Sequence, residues 1–183
     1  MARGLMSAEA GVLEMPRLLE AAVGELFVLH TKSRQEKALA ESLAGMGIPS
    51  YLPLMKRNRN YGGRKAVVEM PLFSGYVFLR GTVDEAYQAD RTGRVAQVIR
   101  VVDQAKLLWE LRNIEIALAR EVELNPYPGL VRGVKVRVLS GALAGIEGIV
   151  EDKPKRDRLL LQVDVLGQAT SLEIDGAILE RVD

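Results

Sequence analysis

Two prolines and a glycine within five residues, Asn125-Pro126-Tyr127-Pro128-Gly129, split this 183-residue chain into stretches of different periodicity. Proline locks φ and lacks an N–H, so a helix entering this stretch must stop, and 124–130 reads as a semi-extended linker. Upstream of it, helical and strand patterns alternate. Downstream, short strand patterns follow at close spacing, separated by glycines and charged turns.

The upstream stretch opens with a run of β-formers over 25–31, which predicts a buried strand. Ser33 with Glu36 three residues later has the capping-box pattern, Leu39, Leu43 and Met46 recur at helical spacing, and Gly45 and Gly47 end the helix. A second strand is predicted over 48–54, near a sheet edge because of Pro53. Residues 56–65 (KRNRNYGGRK) carry five basic residues and no acidic one around Asn60-Tyr61-Gly62-Gly63, the composition of a long hairpin's tip. Strands over 67–72 and 76–80, joined by a tight Phe73-Ser74-Gly75 turn, a short helix over 84–90 and a strand over 95–102 follow. A longer helix places Leu107, Leu111, Ile114 and Leu118 on one face. The expected fold class is α+β: an α/β sandwich over 25–123, the linker, and a small all-β barrel over 131–183. The barrel's strands are predicted at 134–139, 149–151, 159–165, 170–174 and 179–182.

Composition excludes several kinds of chemistry. The chain has no cysteine, hence no disulfide, thiolate metal site or cysteine nucleophile, which fits a cytoplasmic protein. Its one histidine, His30, cannot form a two-histidine metal motif. With no phosphate loop or carboxylate pair either, we expect no enzyme, no catalytic residue, no metal and no cofactor. Lys+Arg number 25 against 24 Asp+Glu, so any nucleic-acid contact must come from a local patch. No apolar run reaches the roughly 20 residues of a membrane span. Residues 1–24 read as a flexible, weakly helical extension, because Glu14, Arg17 and Glu20 break up what would otherwise be a signal-peptide core.

Two segments resemble one family. Residues 133–150 (GVKVRVLSGALAGIEGIV) resemble the KOW motif, in which a strand, a tight loop and a second strand open an SH3-like barrel. Val134, Val136 and Val138 alternate toward a core while Lys135 and Arg137 face water. Residues 71–79 (PLFSGYVFL) resemble the signature hairpin of the N-terminal (NGN) domain of the NusG/RfaH family of transcription elongation factors. FVLHTKSRQE at 27–36, GIPSYLP at 47–53 and the strand after Arg91 are similar to other parts of that domain. The chain departs from the family pattern at Leu26-Phe27, where Trp-Tyr is usual, and at Ser74, where proline is usual. The short basic loop between Tyr51 and Pro71 is more similar to the specialised, RfaH-related paralogues than to the housekeeping factor.

That resemblance implies a function. The N-terminal domain would hold the clamp helices of the largest RNA polymerase subunit in an apolar cavity lined by Phe73, Tyr76 and Phe78, with His30 and Val101 beside them. Lys32, Arg34, Arg57, Arg59, Arg64 and Lys65 would touch upstream or non-template DNA, with Tyr61 able to stack on a base. The KOW loop, through exposed Leu143 and Ile146, would meet the ribosomal protein NusE or the termination factor Rho. The factor, a monomer that contacts no membrane, would suppress pausing or termination. The polymerase gate-loop contact that RfaH-like proteins make through His-Thr-Thr is not expected in the same form, since Glu85-Ala86-Tyr87 stand nearby. The C-terminal domain is expected to remain a barrel at all times. Gly141, Gly145, Gly148 and Pro154 each disfavour a helix, by about 1 kcal/mol per glycine and about 3 for proline.

Two other readings compete. One is a housekeeping NusG acting with Rho in termination. The other is a KOW-type RNA- or ribosome-binding module, against which stands the balance of eight basic and nine acidic residues over 131–183.

Overall fold

A computed structural model describes residue 18 and residues 23–127, 129–151, 158–174 and 179–182. The predicted helicity of the first residues, and Pro154, lie outside them, except that Leu18 is helical and buried. The chain forms two compact units: Met1–Pro53 with Phe73–Val102, and Leu54–Leu72 with Asp103–Asp183.

The first unit is built on an antiparallel sheet of β1 (Glu25–Thr31), β2 (Ser50–Tyr51), β5 (Tyr76–Gly81) and β6 (Val95–Arg100), in the order β2-β5-β1-β6. Helix α1 (Glu36–Gly45) packs on β2 and β5, and α2 (Val83–Arg91) on β5 and β6. Val28, Leu29, Leu39, Leu43, Phe78 and Leu79 are sealed in its core. The Ser33/Glu36 capping box does not form. Arg34 takes a left-handed φ of 59°, α1 starts at Glu36 with Gln35 as its uncapped N-cap, and the Glu36 carboxylate is engaged elsewhere. A capping box does close α2, where Thr82 and Glu85 exchange hydrogen bonds of 3.2 and 2.7 Å.

The second unit holds the hairpin of β3 (Leu54–Tyr61) and β4 (Arg64–Pro71), the helix α3 (Gln104–Ala119) and a six-stranded antiparallel sheet. That sheet comprises β7 (Asn125–Tyr127), β8 (Gly133–Val138), β9 (Glu147–Glu151), β10 (Arg158–Val163), β11 (Gln168–Glu173) and β12 (Leu179–Arg181). Its order is β12-β8-β9-β10-β11-β7. Where a closed barrel is expected, the described residues show an open order with β12 and β7 at its ends. β7 falls inside the expected linker. Asn125 accepts hydrogen bonds from the Thr170 and Ser171 hydroxyls, and Pro126, having no N–H to offer, suits an edge strand. Sheet strands come close at two glycines: a Cβ on Gly133 would lie 2.3 Å from the Val150 carbonyl oxygen, and one on Gly148 would lie 2.6 Å from that of Leu160.

The expected 67–72/76–80 hairpin is also corrected. β4 pairs only with β3, and β5 lies between β1 and β2. Both edges of β5 are occupied, the Arg80 N–H donating to the Pro49 carbonyl beyond β2, so none remains for β4. The hairpin is instead closed by Gly62 and Gly63 at φ of 57° and 88°, the left-handed pair that a two-residue turn between twisted strands requires. Among the described residues no helix is long and apolar enough to cross a membrane.

Candidate functional site

The first unit's best-organised feature surrounds the Phe73-Ser74-Gly75 turn. Glu36 Oε1 accepts the Gly75 N–H at 2.7 Å, and the Gly75 carbonyl accepts the Thr31 N–H at 2.8 Å. Helix α1 and strand β1 thus pin the turn from two sides. With the turn fixed, Tyr76 pairs with His30 across the sheet, and their rings stack with centroids 5.0 Å apart and planes 21° apart. Both residues are half-buried. Gly75 lies beside the pair, since a Cβ on it would sit 3.6 Å from His30 Cδ2.

The other three expected cavity residues are placed differently. Phe78 is fully buried and Phe73 is 2 % exposed, so neither ring is open to solvent. Phe78 lies on a central strand, with Tyr51 on the neighbouring strand 6.5 Å away ring to ring. Val101 is half-buried and is not beside His30. His30 pairs with Gln97, whereas Phe27, three residues back along β1, pairs with Arg100. An antiparallel register carries Val101 to the far end of the strand.

The basic residues divide likewise. Lys32 Nζ donates to the Gly93 carbonyl at 2.6 Å, which ties it to the loop after α2, and Arg34 is exposed at its left-handed corner. Arg57, Arg59, Arg64 and Lys65 are all exposed on the hairpin.

In the second unit Ile146 is fully buried, against the expectation of an exposed apolar loop, and Leu143 is half-buried. The Ile146 carbonyl accepts the Val138 N–H and the Ile146 N–H donates to the Leu143 carbonyl, which fixes the backbone that turns its side chain inward. The same loop is gripped from α3: Arg120 Nη1 donates to the carbonyls of Ala142 at 3.1 Å and Ala144 at 2.7 Å. Further along α3, Trp109 Nε1 donates to Glu147 Oε2 at 2.7 Å, and the Glu147 N–H donates to Asn113 Oδ1 at 2.8 Å. Arg137 Nε donates to Glu147 Oε1 at 2.7 Å, and Lys135 Nζ lies 4.2 Å from the centre of the Trp109 ring. The Asp164 N–H donates to Glu110 Oε1 at 3.2 Å, and Lys106 pairs with the Asp164 carboxylate.

These contacts act on two carboxyls in opposite ways. Burial pulls the Glu147 carboxyl upward, but hydrogen bonds from Trp109 and Arg137 and the charges of Arg137 and Lys135 outweigh it and hold it below the ordinary range. Burial pushes Glu110 up to about 7. The Asp164 N–H and the Lys106 charge oppose that rise, and Asp164 and Asp103 add to it. Sequence reasoning missed this polar stripe, although Lys106, Glu110, Asn113 and Arg120 carry its signal: polar residues spaced by four, three and seven. Among the described residues no group of three or more acidic or histidine side chains could hold a metal.

Residues 25–119 match the family described as transcription termination factor NusG. The transcription termination/antitermination protein NusG of Thermus thermophilus is 29 % identical over 130 residues, 62 % of this chain and 69 % of that protein. Its Lactococcus lactis counterpart is 27 % identical over 172 residues, 85 % of this chain and 92 % of that one. A solved structure of Thermotoga maritima NusG aligns over 88 % of this chain and 98 % of its own at 20 % identity, with a TM-score of 0.40.

Proposed function

Because the chain belongs to the NusG family, whose match takes in more than half of its length, we propose that it is a non-enzymatic, cytoplasmic transcription termination/antitermination factor that binds RNA polymerase through its first unit. The observation that carries this reading is the half-open His30–Tyr76 stack, held in place by the Glu36–Gly75 bond. An aromatic pair that is half-exposed and rigidly backed loses little entropy on binding, which suits it to anchor an apolar helical partner such as the polymerase clamp helices. Phe73 and Phe78 are buried and so lie outside that exposed surface, and Val101 lies at the far end of the register from His30.

Lys32, Arg34, Arg57, Arg59, Arg64 and Lys65 are the proposed contacts to upstream or non-template DNA. Their exposure supports this, and phosphate neutralisation requires positive charge within reach. The six-stranded sheet is proposed as the KOW module, which would take NusE or Rho as partner. Half-buried Leu143 is the contact residue there, and Ile146 supports the loop from inside.

Co-purification of RNA polymerase with the full chain tests the central reading. Tyr76→Ala and His30→Ala are expected to reduce capture about tenfold or more while the chain stays folded, as expected of an aromatic anchor. Undiminished capture by both variants, or no capture by the wild type, would remove the reading.

A further inference from the structure

Between helix α3 and the six-stranded sheet of the second unit lies a cavity of about 300 Å³. That is the small end of the range for sites that hold one small molecule, roughly 300–1,000 Å³. Trp109, Ile149 and Leu160 give it apolar wall, and charged side chains stand around it.

Most of those charges are already matched. Lys106 pairs with the Asp164 carboxylate, and Glu147 is held by Trp109, Arg137 and Lys135. Two lining groups of opposite sign are left over. Arg132 is exposed and has no ion pair among the described residues. Glu110 is only 4 % exposed, and its one hydrogen bond is from the Asp164 N–H to Oε1. Among the described residues its second oxygen has no hydrogen-bond partner, and the carboxyl has no ion pair. Burial therefore pushes Glu110 up to about 7, and the Asp164 N–H and the Lys106 charge offset only part of that rise.

The two leftover groups are held by neighbouring points of one chain segment. Gln162 donates to the Val131 carbonyl at 3.1 Å, which seats Arg132 next along the chain. Two residues beyond Gln162, the Asp164 N–H meets Glu110. Residues two apart in an extended chain are separated by roughly 7 Å, so one small molecule can reach both groups.

We propose that this cavity binds a free α-amino acid with an aliphatic side chain. The ligand carboxylate meets the Arg132 guanidinium, whose paired N–H groups match it. The ligand ammonium meets the open oxygen of Glu110, and a cation there favours the charged carboxylate that burial alone disfavours. The side chain lies against Ile149 and Leu160. A zwitterion supplies both charges in one molecule, whereas a simple acid or amine leaves one of the two protein groups unmatched. The site lies wholly in the second unit, and the inference goes beyond the polymerase reading without depending on it.

Calorimetric titration of the full chain with L-leucine tests the proposal. Fluorescence is a second readout, because Trp109 lines the cavity and is the chain's one tryptophan. Saturable binding is expected in both. N-acetyl-leucine lacks the ammonium and leucinamide lacks the carboxylate, and each should bind about tenfold more weakly or worse, the effect of losing a hydrogen bond between charged groups. Glycine, which lacks the apolar side chain, should lose about as much.

The protein variants cross with these ligands. Arg132→Gln should weaken leucine binding about tenfold and leave leucinamide unchanged. Glu110→Gln should weaken leucine to the same extent and leave N-acetyl-leucine unchanged. Selective loss of this kind separates a contact from a damaged fold, and exposed Arg132 keeps the test open if Glu110→Gln fails to fold. No saturable signal with leucine, either derivative bound as tightly as leucine, or leucine binding undiminished in Arg132→Gln would each overturn the site.

Discussion

The indole N–H of Trp109 donates to Glu147 across 2.7 Å, and on its other oxygen Glu147 receives Arg137. One carboxylate thus joins helix α3 to strands β8 and β9. Glu147→Gln retains an acceptor but loses the carboxylate's ion pairing with Arg137 and Lys135. Hydrogen bonds to charged groups contribute about 1.5–3 kcal/mol, and a loss of that order is expected in denaturant melts. Trp109 is the chain's one tryptophan, so its fluorescence reports on this contact directly.

Stability of the α3–sheet contact should fall from both sides of a mildly acidic optimum. Glu147 is held below the ordinary carboxylate range, so its contribution is complete above about pH 4.5 and is lost as pH falls below that. Glu110 is raised from 4.5 to about 7, so the folded unit holds the extra proton between those values. Its contribution is complete below 4.5 and declines as pH rises through 7, by at most about 1.4 kcal/mol per pH unit. Glu110→Gln should flatten the alkaline slope in urea melts between pH 5 and 8 and leave the acid slope intact.

Gly75→Ala and Glu36→Gln should both loosen the turn that sets the His30–Tyr76 stack. Gly75 has a φ of 86°, where a side chain costs on the order of 1–3 kcal/mol, while the added methyl would meet His30 at an ordinary 3.6 Å. Backbone strain is therefore the cause to expect, not a clash. The imidazole NMR signals of His30 should move, and polymerase capture should weaken.

Gly148→Ala is expected to be more damaging, because its Cβ would press on the backbone carbonyl of Leu160 at 2.6 Å. Overpacking typically costs about 1–3 kcal/mol where side chains can yield, and a sheet carbonyl yields less. A lowered midpoint in thermal melts would show it.

Leu143→Ala and Ile146→Ala should separate function from folding in the 141–146 loop. Ile146 is sealed in the core, and its truncation should cost about 2–5 kcal/mol. Half-buried Leu143 should cost far less stability yet lose most of any binding to NusE or Rho in a pull-down.

Much of the fold was legible in the pattern of residues. The strand read at 25–31 is β1, and each of the five downstream strands lies within two residues of its predicted start. Side-chain alternation and glycine punctuation are local signals, so they survive without knowledge of the partners. The candidate site was less legible. Phe73 and Phe78 read either as the lining of a cavity or as core, because a sequence shows which residues share a strand, not what covers it. Ile146 misled for the same reason, sitting between two glycines that mark a loop while its side chain turns inward.

By itself, the sequence determined the alternation of helices and strands, the all-β character of the C-terminal portion, the family and the absence of cysteine chemistry, because periodicity, turn residues and composition are properties of neighbours along the chain. Only the tertiary structure decided that Arg132 and Glu110 line one cavity, that Glu36 holds the Gly75 turn instead of capping its own helix, and that the α3 polar stripe meets Glu147 and Asp164. Those outcomes depend on strand register and on contacts between residues far apart in the chain. A one-residue shift in register would send the same side chains to the opposite face.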